Sequence, residues 1–375
     1  MGAAMTKADR LILHIGQPKT GTTTLQSALH NASAALEACG VHYMSRPVIN
    51  GNRFAAHLSA MKFQPRMALQ RTGGDAQKVA SESRRDWLAA VERQKTSSCK
   101  TVVLSSETLY DFGPLGAVDD LLSHLDPLAH EIVVVAYIRA PADLYLSLLQ
   151  ENLKFGFSLG PSRPNATYRL SLKPYDDHPR VTLHVHKFGR ADLIGQDIVT
   201  DFATRYLPPD ARKVLSKRGD DRNETISAEM MAALEERSAD STRPNLNGHG
   251  PVTMAHARRF IALDQATPGL GRPRYRSGIA RIIHDHSQDL DWLEEKFGIS
   301  FDRPEGNPAV TADVPLQTVR DLCIVDEDRF EALASAFPSA SRLKFNDFVA
   351  SRSRRLTRLP RRLGKLAMQL GPRRR

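Results

Sequence analysis

The sequence predicts an α/β fold, a mostly parallel sheet flanked by helices and followed by a mainly helical C-terminal part. Three observations carry this expectation. Short apolar segments at Leu11–Ile15, Thr101–Ser105, Ile132–Ile138 and Val181–His186 alternate with stretches of helical spacing, the layout of parallel strands and their crossovers. Ile132–Ile138 is apolar without interruption, as a strand covered on both faces must be. Beyond residue 225 the strand pattern stops and helical spacing takes over.

Taken in order, Leu11–Ile15 is a strand running into a turn, Gly16–Gly21. A helix is predicted from Thr22, with Leu25, Ala28, Leu29, Ala32 and Leu36 at helical spacing and Gly40 as its stop. Thr101–Ser105 and Ile132–Ile138 are the next strands. Pro141 opens a helix reaching about Phe155, because its fixed φ and missing N–H suit a first helical position. Val181–His186 leads to a helical segment near Asp192–Tyr206. Later helices are predicted at Ser227–Glu236, Met254–Leu263, Ile279–Phe297 and Leu316–Phe337, separated by polar Gly/Pro stretches at Arg243–Pro251 and Thr267–Gly278. The expected division is an α/β core over 1–225, a helical cap continuing the same domain over 226–350, and a basic tail over 351–375.

Of 375 residues, 41% are hydrophobic and 25% charged, a mixture that excludes general disorder, collagen-like and coiled-coil structure. The formal net charge is +10, but residues 351–375 hold ten Lys/Arg and no acid, so residues 1–350 carry no net charge. The folded body is therefore not expected to bind nucleic acid or another polyanion. Leu363, Leu366, Ala367 and Leu370 recur at helical spacing in the tail, which could lie on an anionic membrane surface or serve as a disordered solubilising segment. There is no run of eighteen apolar residues and no secretory layout at the N-terminus, so a cytoplasmic location is expected, with the tail able to reach the inner membrane face. Cys39, Cys99 and Cys323 are odd in number and far apart, and read as buried thiols.

The most informative segment is the turn. A strand runs into a glycine-bounded loop, Gly16-Gln17-Pro18-Lys19-Thr20-Gly21, that opens a helix at Thr22-Thr23-Thr24. In that arrangement backbone N–H groups and the positive end of the helix dipole converge, and an anion of phosphate size fits there. The Gly16-x4-Gly21 spacing matches the nucleotide-triphosphate loop G-x-x-x-x-G-K-[ST], yet the lysine position holds Thr22. The loop's only cation is Lys19, three residues earlier. Such a loop suits a 5′-phosphate bearing one transferable group better than β- and γ-phosphates; the plain alternative is a strand–turn–helix capped by Gly-Thr.

Gln17–Thr23 resembles the 5′-phosphosulfate loop of sulfotransferases that use 3′-phosphoadenosine 5′-phosphosulfate (PAPS), bacterial members of that family in particular. The resemblance implies a P-loop-type fold and a donor site in which Lys19 meets the bridging oxygen. Pro18, Thr20, Gly21, Thr22 and Thr23 complete the loop that holds the 5′-phosphate. It also implies a 3′-phosphate site made by an Arg at a strand end and a Ser eight residues later, which here are Arg139 and Ser147. A planar, permanently charged guanidinium suits phosphate, and a hydroxyl adds one directed bond. Phe188, followed by Asp192-Leu193, matches an aromatic that approaches adenine in relatives; burial in the core is the plain alternative. Asp201-Phe202 continues the resemblance. The Arg-Lys-Gly stretch of cytosolic relatives is missing, and Gly269–Arg276, with Arg272, Arg274 and Arg276, is the only basic glycine loop in a comparable place. The resemblance covers about residues 11–207.

Sulfuryl transfer to a hydroxyl needs a base near the sulfur. Relatives place His or Glu just after a central strand, where this chain has Glu107; local capping is the alternative, and Ser106 could add a positioning bond. His14, His57 and His124 are competitors, His14 reading as structural. The pairs His184/His186 and His284/His286 lack an evident third ligand, so no metal is expected. The expected activity is sulfuryl transfer from PAPS, releasing adenosine 3′,5′-bisphosphate, to a hydroxyl of a carbohydrate or glycoconjugate, with a saccharide or glycolipid as acceptor. The alternatives are a P-loop kinase-like phosphotransferase, against which Thr22 speaks, and a non-catalytic nucleotide- or polyanion-binding protein.

Overall fold

The computed structural model describes residues 7–45, 49–154, 168–215, 225–239, 254–306 and 316–336. The tail at 351–375 lies outside them, and with it the membrane reading. Five strands, β1 (Ala8–Gly16), β2 (Val41–Tyr43), β3 (Thr101–Ser105), β4 (Ala129–Ile138) and β5 (Val181–Lys187), form one sheet in the order β2-β3-β1-β4-β5. Every adjacent pair is parallel. The two-residue side-chain period explains why the central strands are apolar throughout. On β4, Ile132, Val134, Ala136 and Ile138 enter the core on one face, while Val133, Val135 and Tyr137 enter the core on the other.

Helices α1 (Thr22–Asn31) and α2 (Ser33–Ala38) follow β1. Helices α3 (Ala55–Leu58), α4 (Arg66–Arg71) and α5 (Ala76–Thr96) connect β2 to β3, and α6 (Val118–Leu125) precedes β4. Helices α7 (Pro141–Lys154) and α8 (Tyr168–Asp176) lie between β4 and β5, and α9 (Ile198–Tyr206) and α10 (Pro209–Val214) come after β5. The rest is helical: α11 (Ala228–Ala239), α12 (Met254–Ala266), α13 (Ile279–Asp285), α14 (Leu290–Phe297), α15 (Val319–Leu322) and α16 (Glu327–Ala336).

Three predicted helices are broken. The one from Thr22 divides at Ala32, whose backbone (φ −86°, ψ 0°) leaves the helical region and makes a new start for α2. Ile279–Phe297 divides into α13 and α14 after His286. Leu316–Phe337 divides because Ile324 N–H donates to Arg274 O, and Arg276 N–H to Leu322 O, forming an antiparallel bridge where a helix would continue. Tertiary hydrogen bonding overrides local propensity there. The elements absent from the sequence reading include β2, α3, α4 and the 21-residue α5, all between residues 41 and 100, and also α6, α8 and α10. Cys39 is half-buried, unlike the buried Cys99 and Cys323, and all three are free thiols. No helix among the described residues is long and apolar enough to cross a membrane.

The helical part is built onto α7. Ala142, Leu149 and Leu153 share one buried cluster with Met230 and Met231 of α11, Ile283 of α13 and Leu333 of α16. Beneath it lies a buried ionic node. Arg329 donates to Asp264 Oδ1 at 2.8 Å, Glu229 Oε2 at 3.0 Å and Ser227 Oγ at 2.5 Å, joining α16, α12 and α11. Replacing Arg329 by Met removes the cation and leaves two carboxylates buried beside one another, so a loss of about 3–5 kcal/mol is expected. Urea unfolding measures it, and an unchanged midpoint would contradict the assignment.

Candidate functional site

In a parallel sheet the C-terminal strand ends lie along one edge, the usual place for ligands in open α/β sheets. That edge carries Lys19 after β1, Glu107 after β3, Arg139 after β4 and Phe188 after β5. The order of strands thus gathers residues spread over 170 positions.

The loop Gln17–Gly21 is held from within. Gln17 N–H donates to Tyr137 O, Gln17 Oε1 accepts from Arg139 N–H at 3.1 Å, and Arg139 Nη1 donates to Lys19 O at 3.3 Å. Lys19 has φ 68°, unusual for a residue with a Cβ, and Gly21 has φ 73°. Gly21 is also needed for space: a Cβ there would stand 3.2 Å from the Phe188 ring and 3.3 Å from Ile198. Gly21 is the N-cap of α1 and offers no side-chain cap, and the first turn holds no acid, so the helix's leading N–H groups are left for an anion. Thr20 is fully buried and its hydroxyl donates to Gln17 O at 2.5 Å, which makes it a brace of the loop. Thr22 is buried with its hydroxyl 3.5 Å from the same carbonyl, Thr23 is exposed and Pro18 is half-buried.

Lys19 Nζ donates to Glu151 Oε2 of α7 at 3.1 Å, and the buried Lys154 lies 4.0 Å from the same oxygen. Glu151 escaped the sequence reading because nothing in its local pattern separates it from an ordinary solvated helix acid. Glu107 is half-buried at the loop's side: a Cβ on Gly16 would stand 3.3 Å from its Cα. Burial pushes the Glu107 carboxyl above its usual range, against the pull of Lys19 and of a hydrogen bond from the Asn52 side chain; Glu151 and Asp111 push it further up.

Arg139 is anchored at its carbonyl by Tyr168 Oη, 2.7 Å away, and its guanidinium lies 6.0 Å from the Phe188 ring centroid. Burial lowers its pKa, Asp143 and Tyr275 act in the opposite direction, and Arg272 adds a like charge. The basic loop after α12 is tethered to the start of α7 by Tyr275 Oη donating to Ala142 O at 2.6 Å, which brings the Arg272 charge within electrostatic range of Arg139. Ser147 is half-buried on α7, two turns beyond the strand end. Phe188 packs against the core behind the loop, as its plain alternative reading has it, with its ring turned to Arg139.

The histidines are placed elsewhere. His14 is fully buried, bonded through Nδ1 to Ser105 Oγ at 2.8 Å, and burial drives its pKa down to about 3. His57 and His124 pair with one another, ring centroids 4.6 Å apart, and His124 lies against Trp87. His184 and His186 both bond Tyr206 Oη. Among the described residues no group of three or more His, Cys, Asp or Glu is arranged to hold a metal ion.

No protein-family model matches the chain, and no curated protein matches it. Among solved structures it is similar to the sulfotransferase domain from the Synechococcus PCC 7002 olefin synthase, at 13% identity over 68% of this chain and 88% of that one, with a TM-score of 0.30. A likeness of that degree determines neither fold nor activity.

Proposed function

We propose that the chain is a PAPS-dependent sulfotransferase acting on a hydroxyl, with a saccharide or glycolipid as the acceptor class. The observation that supports it best is the joint placement of an uncapped glycine loop bearing Lys19, a strand-end Arg139 facing Phe188, and Glu107 beside the loop. The donor carries two anionic ends, and the site offers two cationic ones. Backbone N–H groups at Gly21–Thr23, with the Thr22 and Thr23 side chains at the helix start, would hold the 5′-phosphate. Arg139 would hold the 3′-phosphate together with Ser147 and with Arg272. The Arg272 charge opposes that of Arg139, and a phosphate bound there would relieve the opposition.

The donor supplies an activated sulfuryl group whose bridging S–O bond breaks as the acceptor oxygen bonds to sulfur. The protein's part is charge and proton placement. Lys19 stabilises negative charge developing on the bridging oxygen, and Glu107 takes the proton of the attacking hydroxyl. A carboxyl pushed up by burial is a stronger base than a surface one when ionised. The raised value also sets the sign of the pH dependence: turnover falls as pH drops through it, from above the ordinary carboxylate range.

Arg139→Ala separates the two ends of the donor. Affinity for adenosine 3′,5′-bisphosphate is expected to fall by about 10- to 100-fold, the worth of a hydrogen bond to a charged group. Affinity for adenosine 5′-monophosphate should fall far less, since there the variant loses only the 3.3 Å bond that braces the loop at Lys19 O. Titration calorimetry with both ligands checks this, and equal losses for the two would contradict a 3′-phosphate role.

A further inference from the structure

Resting on the reading of Glu107 as base, we propose that Asn52 is its positioning residue, presented by a glycine-tightened turn from a distant part of the chain. Asn52 lies in a single 3-10 turn, Gly51–Phe54, 55 positions before Glu107 in sequence. Ser106 Oγ donates to Asn52 Oδ1 at 2.7 Å, and Thr108 Oγ1 lies 2.8 Å from Ser106 Oγ. With its carbonyl oxygen committed to Ser106, the residue next to Glu107, the amide has its N–H donors left for the Glu107 carboxylate, whose proton affinity the Asn52 side chain lowers. Asn52 thereby links the two residues that follow β3, orienting the carboxylate and favouring its ionised form against burial.

The turn is made to stand that close. A Cβ on Gly51 would lie 2.9 Å from Leu104 Cδ1, 3.2 Å from Ser106 Cβ and 3.3 Å from Ser105 O, so any other residue must displace the buried Leu104 side chain or shift the turn by a few tenths of an ångström. On its other side, Asn50 Oδ1 accepts from Asn52 N–H at 3.2 Å and fixes the start of the turn. Backbone proximity, cap and side-chain bond all converge on one amide. A turn kept only for packing would need the glycine and the cap but not the orientation of Asn52.

The test follows the Glu107 carboxyl carbon by NMR in ligand-free protein labelled at glutamate, its signal identified by its loss in Glu107→Gln. Asn52→Leu is expected to raise the proton affinity of Glu107 about tenfold, one pH unit upward, because a hydrogen bond to the charged form is gone. Gly51→Ala, which keeps Asn52 but displaces it, should move the titration the same way by less, and covers the case in which Asn52→Leu does not fold. The acidic limb of turnover should move with the carbon signal, and the KM for the donor should not change. An unmoved or lowered titration in both variants overturns the proposal. If instead Glu107→Gln retains full turnover, the base assignment fails while the titration still reports on Asn52.

Discussion

Lys19→Ala is expected to lower turnover by about 10²- to 10³-fold, the usual cost of removing one preorganised group that stabilises a developing oxyanion. Binding should suffer less, because the backbone N–H groups of the loop and Arg139 remain. The split follows from charge: bound donor and product are anions throughout, but charge on the bridging oxygen grows only as the bond to sulfur breaks. Lys19→Arg should recover little, since a fork on a backbone at φ 68° cannot place one donor where the ammonium stood. Lys19→Ala also releases Glu151 from its 3.1 Å ion pair, leaving Lys154, 4.0 Å from the same oxygen, as its cationic neighbour. That surface-facing pair contributes little to stability, so the melting temperature should hardly change. Single-turnover kinetics alongside calorimetry with adenosine 3′,5′-bisphosphate measure the split, and a purely affinity-based defect would remove Lys19 from the chemistry.

Glu107→Gln should reduce turnover by about 10²- to 10⁴-fold, the range for a positioned general base. Stability should respond in the opposite sense. Because the folded-state pKa is raised, the contribution of Glu107 to stability is complete below its unfolded-state value near 4.5 and is lost as pH rises through the folded value. At neutral pH the native protein therefore holds a carboxylate at a site that prefers the neutral form. Gln should leave the melting temperature unchanged or higher at pH 7, with the difference fading below pH 4.5. Inactivity combined with equal or greater stability is the signature of a group kept for chemistry. A destabilised, inactive variant would instead mark Glu107 as a structural cap.

The sheet was largely legible because its central strands β1, β3 and β4 are buried on both faces, and burial on both faces writes an apolar run, as in Ile132–Ile138. That Lys19, Arg139, Glu107 and Phe188 share one edge was foreseeable because each lies within three residues of a strand's C-terminal end. Helix lengths were not, since Ala32 and the Tyr275–Cys323 bridge end helices by tertiary geometry that no local pattern records. Asn52 and Glu151 were missed for a related reason. Each comes to the site from an element whose own sequence serves another purpose, and the signal for Asn52 is only a glycine beside it. The basic character of Gly269–Arg276 was visible, but that the Arg272 charge acts on Arg139 depends on the packing of the helical part onto α7.

Titration calorimetry of the full chain with adenosine 3′,5′-bisphosphate and, in parallel, with Mg·ATP tests the central proposal most directly. The geometry of a glycine loop without its nucleotide-triphosphate lysine, paired with Arg139 at the neighbouring strand end, predicts saturable one-to-one binding of the bisphosphate, insensitive to magnesium, and little or none of ATP. Tight Mg·ATP binding with no response to the bisphosphate would contradict it.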